Sequence, residues 1–137
     1  MALARVHGSE AGASFDILAR FESEDTRSHA EVMAPFAHAA LQEAGVRGEE
    51  LDAILTGTGP GPFTGLRAGI VTARALGFAW SVPVYGMMSL TALAERAYQE
   101  RVFAQGGGAD EAEGAELLVA SDARRREVYS ARYRVNT

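Results

Sequence analysis

The sequence has no cysteine, so neither a disulfide nor a thiolate metal site is open to it. It has only three histidines, His7, His29 and His38, and none stand at the i, i+4 spacing of a helical metal pair. His29 and His38 lie on opposite sides of a straight helix, about 180° apart at 100° per residue. No metal site is expected, and His29 is read as part of a helix start. Ser28 beside His29 is a cap position rather than a nucleophile elbow, and no Ser-His-Asp set can be assigned, so no catalytic residue is named. No run of about 18 apolar residues occurs, and a helical membrane span is not expected. Residues Met1–Ser9 lack the apolar centre of a secretory leader. The expected compartment is the cytoplasm.

What is present fits a folded domain. The chain has 137 residues, 47% of them hydrophobic, and a net charge of −5. That charge argues against the whole surface binding nucleic acid, while leaving room for a local basic patch.

The most informative stretch runs from Gly57 through Thr58, Gly59, Pro60, Gly61, Pro62, Phe63, Thr64 and Gly65 to Leu66 and Arg67. Glycine tolerates φ > 0 and close approach, whereas proline fixes φ and removes a donor. Alternating them makes a stiff loop between a strand and a helix, with constrained backbone expected at Gly59 and Gly61. Thr64 is the expected N-cap of that helix. Free N–H groups at such an end attract anions, so phosphate contact by Thr58–Thr64 is one reading and a rigid packing turn the other. The string is neither a P-loop nor a dinucleotide fingerprint, since it lacks the Gly-Lys-Ser/Thr and the downstream acid.

The pattern along the chain predicts strands at Ala2–His7 and Ser14–Glu22, joined by a Gly-rich turn. Ser28 and Glu31 form a capping box opening a helix to about Ala44, with Gly45 closing it and Pro35 bending it. Met33, Phe36, Ala37, Ala40, Leu41 and Ala44 share its apolar face. A helical turn near Gly48–Asp52 leads to strand Ala53–Gly57, and a second helix spans Gly65–Trp80. That helix is apolar nearly all round and rich in alanine and glycine, so it is either buried or pressed on a partner. Strand Pro83–Gly86, a Ser89-capped helix Leu90–Ala104, an acidic Gly-rich linker Gly106–Gly114 and a hairpin, Leu117–Ser121 with Glu127–Val135, complete the order. Alternation places Tyr129, Ala131, Tyr133 and Val135 on one buried face; Tyr85, Tyr129 and Tyr133 are read as core. The ββ-α-β-α-β-α-ββ order is α/β.

Gly-Pro-Gly-Pro-Phe-Thr-Gly-Leu-Arg-Ala-Gly, residues 59–69, closely resembles the signature of the TsaB (YeaZ) family, bacterial proteins needed to make threonylcarbamoyladenosine in tRNA. Three further motifs follow the family order: Asp25-Thr26-Arg27-Ser28-His29-Ala30-Glu31, Val84–Leu90, and Ser121–Tyr129 with its Asp-Ala-Arg-x-x-Glu-Val-Tyr pattern. The resemblance implies an actin-like ATPase (ribonuclease-H-like) fold, with a first lobe over residues 1–105 and the linker and opening hairpin of a second over 106–137. The family's opening strand, which ends in Asp-Thr-Ser or a close variant, has no counterpart here, and members continue past this C-terminus. In actin-like ATPases that strand carries an acidic metal- and phosphate-handling residue, so autonomous ATP hydrolysis is not expected.

The resemblance further implies a non-catalytic subunit that pairs with the transferase TsaD, helps recruit the ATPase TsaE, forms a homodimer when alone and meets tRNA only indirectly. No bound cofactor is expected, except ATP or ADP at an interface of the complex. In the family, two helices of each partner pack as a four-helix bundle. Here that implies an interface of Val32, Met33 and Phe36 with Leu66, Ala68, Gly69, Ile70, Ala73 and Gly77. The alternatives are a small actin-like nucleotide-binding ATPase or a peptidase. Arg124, Arg125, Arg126, Arg132 and Arg134 form a basic cluster with two readings, tRNA contact or a solvated hairpin; the overall acidity favours the second.

Overall fold

The structure is a computed structural model and describes residues 1–8, 14–23, 29–105 and 113–136. The turn after His7, the Asp25–Ser28 part of the helix-start motif with its Ser28 cap, and linker residues 106–112 lie outside the described residues. The described part divides into two units, one of residues 1–56 and 63–85, the other of 57–62 and 86–137.

In the first unit, β1 (Ala2–His7) and β2 (Ser14–Arg20) pair antiparallel, Val6 opposite Phe15, with an irregularity at Leu3/Ala4. Helix α1 (His29–Ala44) continues through Pro35 and packs on β2 and on α2 (Phe63–Trp80). Its inner face is the predicted one, with Ala37, Ala40 and Leu41 buried. Burying a leucine stabilises by about 1.5–3 kcal/mol; alanines contribute less but let the helices approach. Phe36 meets Phe21 at 5.6 Å between ring centroids. The helix ends in a Schellman motif: Gly45 has φ 66°, its N–H donates to the Gln42 carbonyl, and the Val46 N–H donates to the Leu41 carbonyl at 3.0 Å.

A 3-10 turn at Gly48–Glu50 follows, with the Arg47 N–H donating to the Glu50 carboxylate at 2.8 Å. The Trp80 indole packs directly over Gly48 and meets His38 edge-on at 6.0 Å. Strands β3 (Ile54–Gly59) and β4 (Val84–Met88) form their own two-stranded sheet. The Ile54 N–H donates to the Pro83 carbonyl at 2.9 Å, and further along, Thr58 lies against Gly86. Both contacts advance in the same chain direction, so β3–α2–β4 is a parallel crossover, and a connection of that kind needs a helix-length link.

In the second unit, α3 (Ser89–Gln105) packs on the hairpin of β5 (Glu116–Arg124) and β6 (Glu127–Arg134). Leu90 and Ala94 are buried, and the Thr91 and Tyr133 hydroxyls are 3.1 Å apart. Helix α3 therefore groups with the hairpin, whereas the sequence reading placed it in a lobe ending at residue 105. The expected alternation survives over Ala131–Val135, but no residue of β6 is buried and Tyr129 is 38% exposed. Tyr85 is 59% exposed, not core. A two-stranded sheet covered on one face by one helix has too little neighbouring structure to enclose a tyrosine.

The candidate partner-binding surface

Helix α2 has two unlike faces, set by its sequence. Ala73 and Gly77 are buried, and Gly69 is half-buried with Met33 Sδ and Thr56 Oγ1 about 4 Å from where its β-carbon would be. This is the inner face, and its small residues let α2 press on α1 and on β3–β4. Ala73 and Gly77, expected at a partner interface, are spent on the chain's own packing. Small residues favour close approach to any neighbour, and here that neighbour is internal.

The outer face is different. Phe63, Val71 and Phe78 are 70%, 65% and 91% exposed. With exposed Arg67 and Arg74 they fall within about 80° of one another around the helix at 100° per residue. The Arg67 guanidinium lies over the Phe63 ring, 5.0 Å from its centroid, a cation–π contact worth about 0.5–1 kcal/mol at an exposed site. Large apolar side chains held open in a row mark an interaction surface more often than scattered ones do. Leu66, Ala68 and Ile70, with Val32, Met33 and Phe36 of α1, are half-buried. At 100° per residue Ile70 and Ala68 flank the open face, whereas Leu66 lies on the inner side between Ala73 and Gly77, and Met33 packs at Gly69. Val71 and Phe78 were missed in the sequence because α2 is apolar on every side. The signal that could have found them is Arg67 and Arg74, which fall on the same side and mark it as the one facing solvent.

The glycine loop also departs from expectation. Gly59 is buried with φ 101°, and Gly59–Pro60 is a cis bond. Gly61 is not among the positive-φ residues and has nothing within 4 Å of where a β-carbon would be. Constraint therefore sits at Gly59 alone. Helix α2 begins at Phe63, so Thr64 is inside its first turn and is not the N-cap. Pro62, with φ preset near the helical value, lets the helix start earlier than a threonine cap would. Gly57, Thr58 and Thr64 are exposed, and Gly65 is half-buried.

Ionisable groups do not converge on a reaction centre among the described residues. Glu50 is held below the usual carboxylate range, chiefly by the Arg47 N–H, and Arg96 is raised by its hydrogen bond to Glu100; both are exposed. His7 pairs with Asp16 at 2.9 Å on the open surface. Among the described residues no three His, Asp or Glu side chains gather as metal ligands, and no helix is long and apolar enough to cross a membrane.

Residues 16–137 match the family model described as TsaD, tRNA N6-adenosine threonylcarbamoyltransferase. A transferase of that name from Erythrobacter litoralis is 42% identical, but over 64 residues, covering 47% of this chain and 19% of the relative. The Haemophilus influenzae tRNA threonylcarbamoyladenosine biosynthesis protein TsaB is 36% identical over 103 residues, covering 75% of this chain and 39% of the relative. The solved structure of YeaZ from Pseudomonas aeruginosa matches with a TM-score of 0.63 at 34% identity, covering 98% of this chain and 56% of that one. The chain belongs to the TsaB (YeaZ) family. Among the curated relatives, TsaB covers 75% of this chain and the transferase 47%, and the solved YeaZ structure covers 98%. The TsaB-family fold is the actin-like α/β fold, and the element order of this chain conforms to it. An uncharacterized Mycobacterium tuberculosis protein is 45% identical over 109 residues, covering 80% of this chain and 44% of the relative. The chain thus spans less than half the length of these curated relatives.

Proposed function

We propose that the chain acts as a non-catalytic subunit in the synthesis of threonylcarbamoyladenosine in tRNA. It pairs with a TsaD-like transferase, joins a TsaE-like ATPase in the assembly, and pairs with itself when alone. The pathway is carried by the names of the TsaB relatives. The binding role is supported by one observation above the others: Phe63, Val71 and Phe78 stand exposed along one side of α2. Covering an aromatic or valine side chain stabilises by about 1.5–3 kcal/mol. Three such residues offset only part of the entropy lost on association, so the reading also draws on Ala68 and Ile70, half-buried beside them on α2.

Co-expression of the tagged chain with the TsaD-like transferase of its own source tests this reading. The two are expected to co-purify, and the isolated chain is expected to sediment as a dimer at tens of micromolar. Absence of both overturns the binding role. Nucleotide titration and ATPase assays on the isolated chain are expected to show no turnover; robust hydrolysis would assign it instead to the actin-like ATPases.

A further inference from the structure

The β5–β6 hairpin turns through Arg125 and Arg126, flanked by Arg124 and Glu127, which oppose each other across the strands. Both turn residues are left-handed, with φ 53° and 65°. Positive φ at both central positions is the pattern of a type I′ turn, for which Asn-Gly is the favoured pair. Arginine has no local hydrogen bond to ease that conformation and carries a β-carbon that opposes it. Strain retained at an exposed position points to a use for the side chains.

Their surroundings narrow that use. Arg132 and Arg134, further along β6, are held by Glu116 at 3.9 and 3.1 Å. Arg125 and Arg126 are exposed, and among the described residues neither is placed in an ion pair. All 13 cationic side chains of the sequence are arginines, and residues 124–126 are its one run of three. A guanidinium presents a planar fork that matches phosphate oxygens in pairs. The remaining surface is acidic, at a net charge of −5, so a polyanion meets attraction at this tip and repulsion elsewhere.

We propose that the Arg125–Arg126 turn is a contact site for the phosphate backbone of RNA. The choice of RNA rests on the tRNA-modification reading above. The contact is sequence-independent and serves to position the RNA, since exposed arginines on a narrow turn reach phosphates without a groove to read.

The test uses the purified chain and fluorescein-labelled tRNA, with binding followed by anisotropy at 50 and 200 mM KCl. The double variant Arg125→Asn with Arg126→Gly keeps the turn in residues that favour it and removes two charges. Its thermal midpoint is expected to equal or exceed that of the parent. Its tRNA affinity is expected to fall at least tenfold at 50 mM salt, and the slope of log affinity against log salt to become shallower by about 1.5–2, for two lost phosphate contacts. A parent chain without salt-dependent tRNA binding overturns the proposal, as does a variant with unchanged affinity and slope. Displacement of tRNA by polyglutamate of equal charge, as readily as by unlabelled RNA, would assign the turn to an acidic protein surface and overturn it too. A parent chain that captures the transferase but does not bind tRNA refutes only this site; a parent that binds tRNA but captures no transferase and does not self-associate refutes only the subunit reading.

Discussion

Gly77 of α2 has no room for a side chain because of Val84. A β-carbon on Gly77 would run into the Val84 methyl and lie 2.9 Å from the Val82 carbonyl oxygen. The missing atom lets α2 lie directly on the strand that follows it. Glycine inside a helix is otherwise unfavourable by roughly 0.5–1 kcal/mol relative to alanine, so its presence here is a packing requirement.

Two substitutions in α2 should therefore have opposite signs. Gly77→Ala is expected to lower stability by about 1–3 kcal/mol, the usual range for overpacking, because a backbone carbonyl cannot move aside as a flexible side chain can. Gly69→Ala has ordinary contact distances of 3.9 and 4.0 Å and should gain up to about 1 kcal/mol from helix propensity. Chemical denaturation of the pair checks this; equal effects would show that the close approach to Val84 does not govern the site.

The end of α2 offers a stabilising change. The Val82 N–H donates to the Gly77 carbonyl at 2.9 Å and the Ser81 N–H to the Phe78 carbonyl at 3.4 Å, while Ser81 sits at φ 57°. That is a Schellman ending with serine where glycine is preferred. A left-handed non-glycine residue costs about 1–2 kcal/mol, and glycine gives back about 0.4–1 kcal/mol of that through the unfolded chain. Ser81→Gly should thus raise stability by about 0.5–1 kcal/mol, seen as an upward shift of the thermal midpoint.

Within the loop motif the two central glycines should separate. Gly59→Ala forces a β-carbon into φ 101° and is expected to cost about 1–3 kcal/mol. Gly61→Ala meets open space and should change stability by no more than about 0.5 kcal/mol, as surface substitutions generally do. Thermal melts of the two variants decide this, and a larger loss at Gly61 would contradict the loop geometry.

The two faces of α2 should also part company under charge. Phe78→Asp, at a side chain 91% exposed, is expected to leave the circular dichroism unchanged and abolish both self-association and transferase capture. Ala73→Glu buries an unpaired carboxylate and should destabilise the monomer by several kcal/mol. If Phe78→Asp keeps both partners, the surface lies elsewhere on the chain.

Much of the architecture could be read in the sequence because local signals agreed. Helix α1 shows its inner face through Ala37, Ala40 and Leu41 at helical spacing, and Gly45 stops it with φ 66° as a C′ glycine. Local signals failed where several positions were chemically alike. Gly59 and Gly61 share the same proline-flanked setting, yet only Gly59 is left-handed. In β6, alternation identified a half-covered strand, but the depth of burial depends on how many layers surround it.

By itself the sequence determined the order of elements and, through the Gly-Pro-Gly-Pro-Phe-Thr-Gly-Leu-Arg string, the family, because helix period, strand alternation and stiff loops are properties of neighbouring residues. Only the tertiary structure decided which side of α2 is inside. A helix apolar all round can bury either face, and its orientation is set by Val84 and α1 pressing on Gly77, Ala73 and Gly69. That packing leaves Phe63, Val71 and Phe78 uncovered, which gives a helix that is apolar all round one defined open face.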